Sequence, residues 1–191
     1  NAPVPKDYAR TDPGAHVAEI AADLGLRGPG TGLLTAVDVR DVVVATDGGV
    51  RSWVTTGIGA HPTWAAGPPA EWLPSVGTIN AVCVLPVRLA DAAMVNAVAT
   101  VAEAKAQALG EAGVPGTGTV TDAVVLLCPA DGPVEPYGGP RSVIGSALAR
   151  TVHRAVRTGI SLERAGTGTG VVTSNARPTT MPGDGEDRRW P

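Results

Sequence analysis

Residues 78–128 read TINAVCVLPVRLADAAMVNAVATVAEAKAQALGEAGVPGTGTVTDAVVLLC, and three segments inside this stretch set the fold. Residues 78–85 (TINAVCVL) are a short run rich in β-branched and apolar side chains, the pattern of a strand. Asp91 to Leu109 is Ala-rich and holds neither Pro nor Gly, so it reads as a long helix. Residues 120–128 are a second apolar run behind a Gly-Thr turn. Strand, helix and strand in that order form one β-α-β unit, which sets two parallel strands side by side.

Upstream, residues 1–11 read as a polar, Pro-containing arm. Thr11-Asp12-Pro13 starts a helix, a cap-type residue before Pro in the first turn. Val17, Ile20, Ala21 and Leu24 keep helical spacing, and Gly25 ends it. Asp41–Thr46 and Val50–Thr56 are strands joined through Asp47-Gly48-Gly49, a hairpin turn. Residues 57–77 form a long Pro/Gly loop carrying His61, Trp64 and Trp72; loops of this length in compact domains are often functional.

Downstream, 129–140 is a loop, and Ser142 opens a helix to about Arg157 with Ile144, Leu148, Val152 and Ala155 on its apolar face. The expected class is α/β (or α+β): a layered sandwich of a mixed sheet with flanking helices. A single domain is expected over residues 1–160. The Gly/Thr/Pro-rich 161–191 is expected to be a disordered tail.

The chain of 191 residues is 43% hydrophobic, enough for one real core. It has no Phe, so that core packs through many small side chains. With 15 basic and 18 acidic residues the net charge is −3, against a nucleic-acid partner. No apolar stretch reaches the ~20 residues of a membrane span, and no basic-then-apolar leader is visible. Cys83 and Cys128 lie in apolar runs, read as buried inert thiols, and suit a reducing cytoplasm. Their spacing makes no zinc motif, and no metal or cofactor set is identified.

The Gly-Thr loop at 113–122 has the look of a phosphate cradle. It holds no Lys, and it leaves a helix C-terminus, whose dipole repels anions. A nucleotide site is therefore rejected. On the long helix, Asn96, Thr100, Glu103 and Gln107 form one polar stripe. It faces solvent or lines a cleft with Glu103 as acid/base. Lys105 lies off the stripe, as a solvated lysine would. Thr78 and Asn80 share one face at a strand start, where Asn80 donates to an oxyanion or caps a turn. Asp122 opens an apolar strand; it ties down loop amides or activates water. His61 is the stronger histidine candidate, and His153 reads as solvated. No Gly-x-Ser-x-Gly elbow or His-Glu-x-x-His motif occurs.

Taken in order, VPKDY (4–8), GLLTAVDVR (32–40), VTTGIG (54–59), GTINAVCVL (77–85), EAKAQAL (103–109), GTGTVTDAVVL (116–126) and IGSALARTVHRAV (144–156) resemble the adenosylcobinamide amidohydrolase family. The resemblance covers roughly residues 1–157. It implies hydrolysis of the amide between the aminopropanol arm and the corrin ring of adenosylcobinamide, giving adenosylcobyric acid for coenzyme B12 salvage. A small corrinoid is the implied partner, with no membrane and with a homo-oligomer open.

Thr78 and Asn80 match the family's Gly-Thr-Ile-Asn string. Glu103 and Lys105 match its Glu-Ala-Lys, and Thr117, Thr119 and Asp122 its Gly-Thr-Gly-x-x-Thr-Asp pattern. Two family positions differ: Ala102 stands for a Thr, and Ala60 for an Asn. A Ser-rich, Asn-Gly-Gly segment expected upstream of 4–8 is not in this sequence, and its absence would favour a non-catalytic corrinoid-binding module. An amidase for another small amide is the third reading. The expected catalytic groups are Glu103, Asp122, Asn80 and Lys105, with the loop amides near Thr117–Thr119 as oxyanion donors. Thr78, Thr117, Thr119, Thr121, Trp64 and His61 are the expected substrate contacts. A threonine nucleophile is the alternative mechanism.

Overall fold

The computed structural model describes residues 1–60, 62–67, 76–166 and 172–175. In chain order the elements are β1 (Ala2–Pro3), α1 (Pro13–Asp23), β2 (Leu34–Thr35), a 3₁₀ turn (Val39–Asp41), β3 (Val43–Asp47), β4 (Val50–Gly57), β5 (Thr78–Val84), β6 (Arg88–Leu89), α2 (Asp91–Glu111), β7 (Ala123–Leu127), β8 (Val134–Glu135), α3 (Val143–Ala165) and β9 (Val172–Asn175). The main sheet has the order β7-β5-β4-β3-β9. It is mixed: β5 runs parallel to β7 and β3 to β9, while β4 is antiparallel to both its neighbours. This is the layered α/β architecture, and the β5-α2-β7 crossover supplies the parallel pair the sequence pattern requires.

Gly48 and Gly49 both take positive φ, the backbone a two-residue hairpin needs to match strand twist, so β3 turns directly into β4. One sheet face carries Val43, Ala45, Val54, Ile79, Ala81 and Cys83 into the core. There it meets Ala93, Ala97, Val101 and Ala104 of α2, and Leu148, Val152, Val156 and Ile160 of α3. The alanine-rich face of α2 lets it pack closely on α3, and the core is built from small side chains, as expected without Phe. Thr55 and Asn80 point to the opposite face, where the N-terminal segment with β1 and β2 lies.

Three differences from the sequence reading exceed two residues. β7 starts at Ala123, not 120, because Thr121 and Asp122 spend their side chains on the backbone of β5 and the residue before it. α3 continues to Ala165 and stops at Gly166 in the left-handed conformation. Val172–Asn175 then pairs with β3. The boundary expected at 160 thus cuts an ordered helix, and part of the expected tail is sheet; backbone pairing needs no hydrophobic signal, so composition hid it. Cys83 is fully buried, and burial pushes its thiol up to about 11, which makes it unreactive.

Candidate active site

β4 ends at Gly57 opposite Thr78, where β5 begins, and β7 begins just after Asp122. Two loops cross this end of the sheet and bridge each other at Thr63 and Gly118. The Thr63 amide donates to Gly118 O (2.8 Å), while Thr63 O accepts from the Thr117 amide (2.9 Å) and the Gly118 amide (3.2 Å). The Thr117 hydroxyl accepts from the Ala65 amide at 3.0 Å. A Cβ on Gly118 would sit 2.4 Å from Asp122 Oδ2 and 2.7 Å from Lys105 Nζ. Glycine is there because the loop lies flat on an ion pair.

That pair is the centre of the site. Asp122 Oδ2 accepts from Lys105 Nζ and from the Thr119 amide (3.0 Å); Oδ1 accepts from the Ile79 amide (2.8 Å) and the Thr119 hydroxyl. The two side chains are only 17% and 13% exposed. Lys105 is therefore not the solvated lysine expected from its place off the polar stripe. The stripe itself divides: Thr100 is buried, its hydroxyl on Asn96 O and Gly138 O, while Asn96, Glu103 and Gln107 are exposed.

Glu103 and Lys105 share a hollow of about 440 Å³ with Ala102, Thr117, Thr119 and Asp122. Among the described residues the Glu103 carboxylate has no hydrogen-bond or ion-pair partner, unlike that of Asp122. Lys105 has three N–H donors and spends one on Asp122.

The loop amides do not form the expected oxyanion hole. Thr117 and Gly118 N–H are committed to Thr63 O, and Thr119 N–H to Asp122. Asn80 also departs from its expected role. It is 2% exposed and lies on the sheet face away from α2. Its Nδ2 donates to Leu34 O and Asn1 Oδ1, both at 3.0 Å, so neither N–H is left for an oxyanion. Except for Asp122, which lies three residues from Thr119, the partners responsible are distant in sequence, and spacing does not reveal them.

Thr78 and Thr121 make a latch. The Thr121 hydroxyl donates to Gly77 O (3.1 Å), so it is Thr78 that donates to Thr121 Oγ1 (2.7 Å). Trp64 is 57% exposed beside the bridged loops, free for contact with a ligand. His61 and Trp72 lie outside the described residues. His153 bonds Glu111 at 2.9 Å on the α2–α3 surface, away from this site.

The sequence reading missed a second hollow at the same sheet end, about 360 Å³ in volume. Lys6, Asp41, Thr56, Gly57, Thr78 and Glu163 are among its walls. Glu163 O atoms accept from the Ile58 amide at 3.0 and 3.1 Å. Those of its residues that fall in the quoted strings are scattered through four of them, VPKDY, GLLTAVDVR, VTTGIG and GTINAVCVL, and only Thr78 among them is an expected contact. Among the described residues no group of three or more His, Cys, Asp or Glu side chains is placed to hold a metal ion, and no helix is long and apolar enough to cross a membrane.

A family model described as adenosylcobinamide amidohydrolase matches residues 1–168. A protein of Methanosarcina mazei named adenosylcobinamide amidohydrolase is 30% identical over 171 residues, covering 85% of this chain and 82% of its own. One of Halobacterium salinarum with the same name is 34% identical over 165 residues, covering 82% of this chain and 71% of its own. No solved structure matches the chain significantly.

Proposed function

Because this chain belongs to the adenosylcobinamide amidohydrolase family, we propose that the hollow of Glu103, Lys105 and Asp122 is where it hydrolyses the aminopropanol amide of adenosylcobinamide. The observation that carries this placement is an unpartnered carboxylate beside an ammonium with donors to spare.

The reaction consumes one water. Glu103 takes a proton from the water as its oxygen bonds to the amide carbon. Negative charge gathers on the carbonyl oxygen, and the two uncommitted Lys105 N–H groups stabilise it, replacing the loop amides and Asn80 in that role. The C–N bond breaks as the proton held by Glu103 passes to the departing nitrogen. The products are adenosylcobyric acid and aminopropanol. Asp122, fixed by four donors, positions Lys105 instead of acting as the base. Trp64 lies against the corrin edge, where an aromatic face suits a large apolar ring.

One observation favours a second mechanism for the same reaction. The Thr119 hydroxyl donates to Asp122 Oδ1, the geometry of a nucleophile beside its base. Thr119 would then form an acyl-enzyme that water cleaves. Thr117 and Thr121 are poorer nucleophiles, since their hydroxyls serve backbone groups.

The two unpaired thiols support a cytoplasmic location, and the acidic charge balance supports a small-molecule partner over nucleic acid. The test is incubation with adenosylcobinamide in ¹⁸O-labelled water, with and without a chelator, followed by mass analysis. Adenosylcobyric acid carrying the label and free aminopropanol are expected. No product under any condition overturns the reading. A transient mass increase on the chain, lost in Thr119→Val, selects the threonine mechanism.

A further inference from the structure

From Ala92 to Ala102, helix α2 carries no charged side chain. Ala93, Ala97, Val101 and Ala104 are its core face. A surface helix ordinarily turns polar residues to water on the side away from such a face. Here that outer side is divided. Asn96, Glu103 and Gln107 make one exposed strip, which is polar; Val95, Val98, Ala99 and Ala102 make a second, which is apolar. Val95 is 73% exposed and Val98 43%. Single exposed valines are ordinary, whereas a contiguous apolar strip is the kind of surface that proteins use for binding.

We propose that this strip is the ledge on which the corrin macrocycle of the substrate rests while its amide is hydrolysed. The inference rests on the placement of that hydrolysis at Glu103 and Lys105. The scissile amide hangs from the ring, so the ring lies at the rim of their hollow. Ala102 belongs to both features, lining the hollow and ending the strip. Val95 stands seven residues earlier, two turns and about 10 Å along the helix. The bed therefore begins at the rim and has the length of a flat macrocycle. Ala99 and Ala102 keep it low, so such a ring makes continuous contact. All four side chains are open to solvent, and the ring reaches them without rearrangement.

Other parts of the rim fit a flat, carbon-rich ring less well. Toward α3 the ground is polar and ionic: Gln107 bonds Glu111, and Glu111 bonds His153 and Arg157. On the two bridged loops, Val120 and Trp64 are exposed apolar side chains, and they meet the edge of a ring that lies on α2. A second copy of the chain is the poorer occupant. It needs about 800 Å² on each partner, more than a strip two turns long offers. Seated on Ala102, it would also close the hollow that the substrate has to enter.

The experiment compares the full chain with a double variant, Val95→Thr with Val98→Thr. Both positions are exposed and threonine is close to valine in shape, so the urea midpoints should coincide. With adenosylcobinamide, KM should rise roughly tenfold and kcat stay within about twofold, as when apolar cover common to ground and transition states is lost. Corrinoid binding is read separately, from the change in its visible absorption on titration with the chain. Kd should weaken by the same rough factor of ten. Ala99→Gln raises a polar chain through the ledge without touching the core, and should weaken Kd to a similar extent. It decides the matter should the double variant fail to fold. Unchanged KM and Kd overturn the proposal, as does a fall in kcat with KM unmoved. A wild-type chain that sediments as a dimer, with a monomeric double variant of unchanged Kd, gives the strip to a second copy and overturns it too. Weakened Kd in these variants beside a fully active Glu103→Gln keeps the ledge and loses the placement of the chemistry. Unchanged Kd beside an inactive Glu103→Gln does the reverse.

Discussion

Two hollows flank the start of β5, and their polar atoms are treated differently. Around Asp122, the amides of Ile79 and Thr117–Thr119 all have acceptors, and the carboxylate holds four donors. Around Thr56, a hydroxyl and a carboxylate oxygen have none. The first arrangement fixes geometry, since committed groups do not reorient. The second leaves two buried oxygens unpaired, a cost that the packing around them offsets. In the first hollow few groups are left out of the network, and these, Glu103 and the spare N–H donors of Lys105, are the ones to which the proposed mechanism gives the chemistry.

The comparison breaks most visibly at Glu103. Glu103→Gln should lower kcat for aminopropanol release about 100-fold or more with KM little changed, as loss of a general base does. Near-normal kcat would return the chemistry to Asp122 and Thr119. Asp122→Asn should act first on stability. It breaks a largely buried ion pair and disturbs three further bonds, so urea unfolding should show a loss of about 3 kcal/mol. A loss below ~1 kcal/mol would mean that the network does not hold the loop.

Gly118→Ala presses a methyl on the same ion pair and should cost about 1–3 kcal/mol by the same assay. The smallest effect belongs outside both hollows. Arg150 bonds Asp47 and holds its carboxyl below its ordinary value of 3.8. That stabilisation is complete above the ordinary value and is lost as pH falls through the lowered one. Arg150 is 54% exposed, so Arg150→Ala should cost under about 1 kcal/mol at neutral pH, with the two stability curves converging in acid. A loss as large as that of Asp122→Asn would erase the distinction between a networked pair and a surface one.

Much of the fold was legible. The hairpin follows from Asp47-Gly48-Gly49, and the parallel β5–β7 pair from two apolar runs around an uninterrupted helix. β9 was not legible, because its pairing with β3 is made by backbone groups in a Gly/Thr-rich segment. At the site, Glu103, Lys105, Thr117, Thr119 and Asp122 do come together at one hollow. Thr78 and Thr121 meet as the adjoining latch, and Asn80 faces the other way.

The sequence by itself determined the β-α-β unit, the hairpin and the family resemblance, because each is written in residues close along the chain or in an ordered set of strings. Tertiary structure alone decided which polar atoms are spent. Lys105 and Asp122 are 17 residues apart, and Asn80 and Leu34 are 46 apart, yet each pair is joined by a hydrogen bond. Helical and strand periodicity is a local property that spacing can carry. Hydrogen-bond commitment depends on atoms brought within about 3 Å by packing, and spacing holds no record of it. The GVPGTGTVTD loop shows both sides: its lack of Lys and its place after a helix removed the phosphate cradle, and only the fold showed that its glycines lie against the Lys105–Asp122 pair and the backbone around Thr63.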